Sequence, residues 1–275
     1  MLGEDNHPMQ IVINGKKHEV LDRQHVWDCK NALYPKADVV IVNGFQTNEN
    51  VLLRDGDVVS LIQKGAMPSE QELESMMSAR HTPQVHDKVK RAKVAIAGLG
   101  GLGSNIAVML ARTGVGELLL VDFDVVEPSN LNRQSYYICH LGQYKTDALR
   151  SQLTQINPFI TVHTKTTKVE ADNIKELFTG YDIVCEAFDN PAYKAILVNG
   201  LLEELDCKIV AASGMAGYFS SNTIQTQKKL NRLYLCGDQE NAAKPGMGLM
   251  APRVNICAGH QANMVLRLLL GLDEA

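Results

Sequence analysis

Residues 93–122 read KVAIAGLGGLGSNIAVMLARTGVGELLLVD, and the order of features in this stretch decides the fold. KVAIAGL at 93–99 is a short apolar run that ends in glycine, as a strand buried on both faces does. Gly98-Leu99-Gly100-Gly101-Leu102-Gly103-Ser104 then turns the chain into a helix over residues 104–113. ELLLVD at 117–122 is a second apolar strand. Strand, glycine turn, helix and strand in that order predict a parallel pair with a crossover helix. Gly98, Gly100, Gly101 and Gly103 let backbone N–H groups approach a phosphate, and the helix N-terminus adds partial positive charge. Such a loop fits a nicotinamide, a flavin or ATP equally well. Asp122 ends the second strand nineteen residues after Gly103, where an acid reaches a ribose hydroxyl pair.

The alternation continues toward the C-terminus. Residues 145–156 read as a helix stopped by Asn157-Pro158. TVHTKTTKV (161–169) alternates as a third strand, and YDIVCEAF (181–188), residues 191–205 and KIVAAS (208–213) give strand, helix, strand. GYFSSNTIQTQ (217–227) reads as an antiparallel addition, and residues 257–270 as a closing amphipathic helix. The expected class is α/β, a Rossmann-like, mainly parallel sheet with helices on both faces, over residues 93–275.

Residues 9–65 follow a different pattern. MQIVINGKKHEV is a hairpin turning at Asn14-Gly15. Residues 25–33 form a short helix, ADVVIVNG (37–44) a strand closed by Asn43-Gly44, and VLLRDGDVVSLIQ (51–63) two short strands. Strand, strand, helix, strand, strand in so few residues predicts a small N-terminal β-grasp, ubiquitin-like domain. Residues 66–92 read as a helical connector, with Ser69 as N-cap of MPSEQELESMMSAR and a second charged helix in VHDKVKRAK.

Charge and composition exclude several classes. The net charge is −4, which argues against a nucleic-acid partner or binding to an acidic membrane. No apolar run reaches the length of a membrane span, and the first eight residues, an untidy leader, lack the pattern of a secretory signal. Cys29, Cys139, Cys185, Cys207, Cys236 and Cys257 form no CxxC pair, which suggests a reducing, cytoplasmic setting and no structural metal.

The residues beyond Asp122 narrow the ligand. Asp122-Phe123-Asp124 is followed by Ser129-Asn130-Leu131-Asn132-Arg133-Gln134 and then by Lys145 at a helix start. A hydride-transfer enzyme has no evident use for Asn130, Arg133 and Lys145 just past the ribose acid. An enzyme that expels pyrophosphate does, because the two cations neutralise charge growing on the leaving group.

These motifs, with FDN at 188–190, resemble the ThiF/MoeB/HesA branch of the ubiquitin-activating-enzyme superfamily over residues 80–271. The resemblance implies ATP-dependent adenylation of the C-terminal glycine carboxylate of a ubiquitin-like sulfur carrier, with release of pyrophosphate. It implies that Gly100 and Gly101 pass close to the nucleotide, that Asp122 and Asp124 belong to its site, and that Asn130, Arg133 and Lys145 hold phosphates. Asp189 would position Mg²⁺. Arg80 would reach a partner subunit's phosphates in a homodimer, although the family's RYxRQ run is absent and the lysine spacing differs by about one residue. Zinc-binding relatives carry two CxxC pairs, of which Cys236 is at most a remnant, so no zinc is expected. Residues 241–248 lack the cysteine that relatives use in sulfur transfer, so adenylation alone is expected. Residues 9–65 resemble ThiS, the thiamine-pathway carrier, but Ile62-Gln63-Lys64-Gly65-Ala66 runs on into a helix and offers no terminal carboxylate. A ThiS-like carrier is therefore the expected partner of the whole chain, with a molybdopterin-synthase-type carrier as the alternative. The rival classes are a nicotinamide oxidoreductase and a non-catalytic module that binds nucleotide and carrier.

Overall fold

The computed structural model describes residues 8–82 and 84–275. Residues 1–7, where the leader was read, and Pro83 in the connector lie outside the described residues. The chain forms two compact units that divide between His86 and Asp87.

The first unit is a five-stranded sheet in the order β2-β1-β5-β3-β4. Its strands are β1 (Pro8–Ile13), β2 (Lys16–Leu21), β3 (Val39–Val42), β4 (Phe45–Thr47) and β5 (Val58–Ile62), with helix α1 (Val26–Leu33) between β2 and β3. Both Asn-Gly pairs form the expected turns, because their left-handed backbone suits these residues: φ is 47° and 79° at Asn14 and Gly15, and 51° and 89° at Asn43 and Gly44. Asn14 is fully buried, and its side-chain amide pairs with both backbone groups of Leu61, tying the hairpin turn to β5. Ile11, Ile13, Val26, Val40, Val59 and Leu61 form the core. This is the β-grasp arrangement, with two corrections: β4 was not expected, and one expected strand is absent. Residues 51–54 were expected as a strand, but the Val26 N–H donates to the Val51 carbonyl and the Leu53 N–H to Gln24, so their backbone bonds cap the start of α1 instead of building a ladder.

The connector's first helix, α2 (Glu70–Met77), belongs to this unit. Ser69 caps it: the Glu72 N–H donates to Ser69 Oγ and the Ser69 N–H to Glu72 Oε2. Tyr34 Oη donates to Glu72 Oε1 at 2.8 Å and Lys16 Nζ lies 3.5 Å away. Helix α3 (Val85–Lys90) follows.

The second unit is a seven-stranded sheet in the order β11-β12-β10-β9-β6-β7-β8. Its strands are β6 (Lys93–Ala97), β7 (Glu117–Val121), β8 (Thr161–Lys165), β9 (Ile183–Glu186), β10 (Lys208–Ala212), β11 (Gln225–Leu230) and β12 (Leu233–Gly237). Every neighbouring pair is parallel except β11 with β12. Helices α4 (Gly101–Thr113), α5 (Lys145–Ile156) and α8 (Ala251–Leu269) pack together, as do α6 (Ile174–Phe178) and α7 (Pro191–Glu204). Alternation along β6 divides the core: Ala95 and Ala97 pack with Phe178, Leu197 and Leu201 of the second helix group. Strands leave β6 toward β7 on one side and β9 on the other, so the topological switch point, where open α/β sheets bind ligands, lies at the glycine loop.

Three elements differ from expectation. LYLCG, read only as a possible zinc remnant, is strand β12, and Cys236 is buried within it. The closing helix starts at Ala251, before residue 257, with Pro252 in its first turn where a missing N–H costs nothing. The third strand stops at Lys165, and residues 167–169 line the cavity described next.

Candidate functional site

A cavity of about 340 Å³ opens at the carboxyl ends of the second unit's strands. Gly98, Gly100, Gly101, Asp122, Asp124, Arg133, Lys145 and Asp189 all lie on its wall. The glycine loop is fixed by close packing. A Cβ at Gly103 would fall on the Gly98 carbonyl oxygen, and Gly98 holds φ at 89°. Gly103 is therefore off the wall and serves the close approach of α4 to β6.

Asp122 is buried, and its two oxygens accept the Leu99 N–H at 2.6 Å and the Asp124 N–H at 2.8 Å. Burial pushes its carboxyl above the usual range, opposed by the Lys145 charge and these two N–H donors. Lys145, also buried, places Nζ 2.9 Å from Asp124 Oδ2. Residues 128–130 and 138–140 form 3₁₀ turns that bend the chain back to α5.

Asn130 Oδ1 accepts the Glu127 N–H, so this side chain caps the first turn, and Asn130 is not among the lining residues. Its carbonyl accepts the N–H groups of Arg133 and Gln134. Arg133 Nη1 donates to the Ser129 carbonyl at 3.1 Å and to Asn132 Oδ1 at 2.8 Å, while its Nε is buried without a partner. Asn105, on α4, was not anticipated: its amide donates to the Gly101 and Arg133 carbonyls and accepts from Ser135 Oγ. That amide, with the Tyr136 Oη to Leu99 carbonyl bond, fastens the arginine segment to the glycine loop.

Asp189 is exposed on the wall, and its carboxylate makes no hydrogen bond or ion pair among the described residues. A free carboxylate beside a phosphate cavity fits Mg²⁺, which takes one or two carboxylates plus phosphate oxygens. Arg80 belongs to the first unit, where its guanidinium donates to Gln46 Oε1 at 2.6 Å.

Sequence reading missed a buried pair beneath Asp189. Glu186 is fully buried at the end of β9 and lies 2.6 Å from Lys194 Nζ on α7. A glutamate inside the apolar run YDIVCEAF was the available signal, since a buried carboxylate demands a partner. A second unread pair, Asp238 with Arg253, anchors the segment between β10 and α8: Arg253 also donates to the carbonyls of Phe219 and Ser220 and to Thr223 Oγ1.

No helix among the described residues is long and apolar enough to cross a membrane. No group of three or more His, Cys, Asp or Glu among them is placed to hold a metal ion. Cys139 is exposed and the other five cysteines are buried. Burial pushes the Cys236 thiol up to about 11 and the Cys257 thiol up to about 12.

The strand-end cavity with its glycine loop, buried strand-end acid and basic segment defines an α/β nucleotide-site protein. The chain belongs to the ThiF family, whose model matches residues 74–275. A ThiS-like ubiquitin model matches residues 9–65. Among curated proteins, the adenylyltransferase and sulfurtransferase UBA4 of Saccharomyces cerevisiae is 31% identical over 67% of this chain and 43% of its own length. The molybdopterin-synthase adenylyltransferase of Salmonella typhimurium is 33% identical over 66% of this chain and 75% of its own. The chain thus spans less than half the length of the yeast relative. Among solved structures, Escherichia coli tRNA N6-threonylcarbamoyladenosine dehydratase, TcdA, shares the fold with a TM-score of 0.66 at 21% identity, covering 75% of this chain and 98% of its own.

Proposed function

We infer that this chain adenylates the C-terminal glycine carboxylate of a ubiquitin-like sulfur carrier. A carboxylate oxygen attacks the α-phosphorus of ATP, the bond to the bridging oxygen breaks, and pyrophosphate leaves. The ionised carboxylate needs no base. The observation that carries this reading is the convergence of the glycine loop, Asp122, Arg133, Lys145 and Asp189 on one cavity.

Gly100 and Gly101 bring backbone N–H groups to the phosphates, while the Gly98 N–H is held by the Val121 carbonyl and shapes the turn. Asp122 takes the ribose hydroxyls, at some cost to its bonds with Leu99 and Asp124. Arg133 and Lys145 neutralise the departing pyrophosphate. Asp189 would hold Mg²⁺, which supplies charge neutralisation across the phosphates. Asn130 shapes the loop through its Oδ1, which accepts the Glu127 N–H, and its amide NH2 is the group left to donate to a phosphate. Arg80 reaches a second subunit's phosphates if it leaves Gln46, which calls for a homodimer.

The carrier is the finer question. The fused ThiS-like unit favours a ThiS-type carrier and a thiamine role, whereas the name of the Salmonella relative favours a molybdopterin-synthase carrier. ATP–pyrophosphate exchange against a panel of purified Gly-Gly-ended carriers tests both. Exchange stimulated by a ThiS-type carrier supports the first, stimulation only by a molybdopterin-synthase carrier supports the second, and no exchange with any carrier removes the adenylation reading.

A further inference from the structure

Lys194 has an unusual setting. Its Nζ donates to Glu186 Oε2 at 2.6 Å and to the Ala212 carbonyl at 2.9 Å. An ammonium has three N–H donors, and the third has no partner among the described residues. Lys194 lines the cavity, and about a quarter of its side chain is exposed there. Glu186 beneath it has no exposure, and its other oxygen accepts the Phe188 N–H at 2.8 Å. Gln261 of α8 donates to the Glu186 carbonyl at 3.0 Å and to Val210 at 3.1 Å, so the ends of β9 and β10 are held together around this pair.

The sheet order divides the cavity into two sides. The glycine loop leaves β6, and Asp122 and the basic segment follow β7, so the nucleotide side of the cavity is the β6–β7 side. Lys194 joins β9 to β10 on the other side of the switch point, beside Ser213, Gly214 and Met215. A second reactant must approach the α-phosphate from there, and in an adenylation that reactant is a carboxylate. A lysine paired with a buried glutamate brings almost no net charge. It supplies a directed hydrogen bond, which orients an attacking oxygen without binding it so tightly that attack is suppressed.

Resting on the adenylation reading above, we propose that Lys194 is the residue that binds and aims the acyl substrate's terminal carboxylate. Glu186 and the Ala212 carbonyl hold its ammonium in place. Burial lifts the Glu186 carboxyl and the Lys194 ammonium opposes that lift, so neither side chain is replaceable alone.

The test uses the whole chain loaded with α,β-methylene-ATP. Calorimetry measures binding of the carrier active in exchange, as the free acid and with its C-terminus amidated. The wild type is expected to prefer the acid by about tenfold, the value of one charge-assisted hydrogen bond. In Lys194→Met the preference disappears while nucleotide affinity stays. That variant leaves Glu186 buried and unpaired, so the double variant Glu186→Gln/Lys194→Met serves where the single one does not fold. Lys194→Arg is expected to restore part of the preference. A wild type blind to amidation, or variants that keep the preference, overturns the proposal. Lost nucleotide affinity with the preference intact assigns Lys194 to the α-phosphate and overturns it equally. Absence of exchange with every carrier in the panel removes the adenylation reading itself, and this proposal with it.

Discussion

Lys145 and Asp124 are joined twice: the Lys145 N–H donates to the Asp124 carbonyl at 2.9 Å, and Lys145 Nζ lies 2.9 Å from Asp124 Oδ2. The lysine side chain is 7% exposed and the aspartate 50%, so the cation is sheltered while its partner can swing aside for an anionic ligand. Lys145→Met is expected to slow ATP–pyrophosphate exchange by about 10²–10³, roughly 3–4 kcal/mol of transition-state stabilisation. Asp124→Asn is expected to cost less, because it loosens the lysine without removing the charge. Equal losses in both would mean that the pair acts only as a structural tie.

Arg133→Ala is expected to cost a similar 10²–10³ in exchange rate. Asn105→Ala leaves the guanidinium in place but unties its segment from the Gly101 carbonyl. About a tenfold loss is expected there, the scale of one hydrogen bond to a buried group. Full activity in Arg133→Ala would remove the phosphate assignment.

Gly103→Ala tests the strand–helix approach. Its methyl would collide with the Gly98 carbonyl, which is backbone and cannot rotate away. A destabilisation of about 3 kcal/mol is expected, roughly a 6–12 °C drop in melting temperature, together with loss of nucleotide binding. An unchanged melting curve would show that α4 does not pack as closely as described.

The Asp238–Arg253 pair gives the second unit an acid limit. Burial opposes charge on Asp238, but N–H groups of Asn241 and Glu240, the Asn241 side chain and the Arg253 guanidinium outweigh it and bring the carboxyl down to about 2. A carboxyl depressed in the folded state stabilises the fold above its ordinary value and loses that contribution as pH falls through the depressed one. About 2 kcal/mol is therefore expected to disappear between roughly pH 4 and pH 2. Asp238→Asn should flatten this part of the stability profile, measured by urea unfolding. It should also cost about 3–5 kcal/mol at neutral pH by stranding a buried guanidinium.

Native alkylation is expected to modify Cys139 quickly and the five buried thiols slowly. Cys139→Ser should keep full exchange activity, since adenylation needs no thiol on this chain. A mass shift matching a carrier thioester would contradict that.

The set of residues that line the cavity around the glycine loop was legible because it is local. Glycine spacing, a strand-end acid and a basic segment all fall within residues 98–145, and each has a role that its own chemistry states. Both Asn-Gly turns and the Ser69 cap were legible for the same reason. What was missed depends on distant pairing. Glu186 meets Lys194 only once β9 and α7 are packed, and Asp238 meets Arg253 only across the loop before α8. Strand β12 was hidden because LYLCG is short and apolar throughout, with no period of two to mark it, and residues 51–54 lost their ladder to the start of α1. Asn130 was read by position as a phosphate ligand; its Oδ1 takes the Glu127 N–H, a bond that spacing alone does not show.

The stretch after β5 bears on the fate of the ThiS-like unit. The Lys64 N–H is held by Asp38 Oδ2, and the chain continues through Gly65 into the capped helix α2. A free carrier is a reagent: it is charged, spent and recycled. This one is a fixture, made once with each copy of the chain and never used up. Its last residue is joined to Ala66 by a peptide bond, which has no carboxylate for ATP to activate.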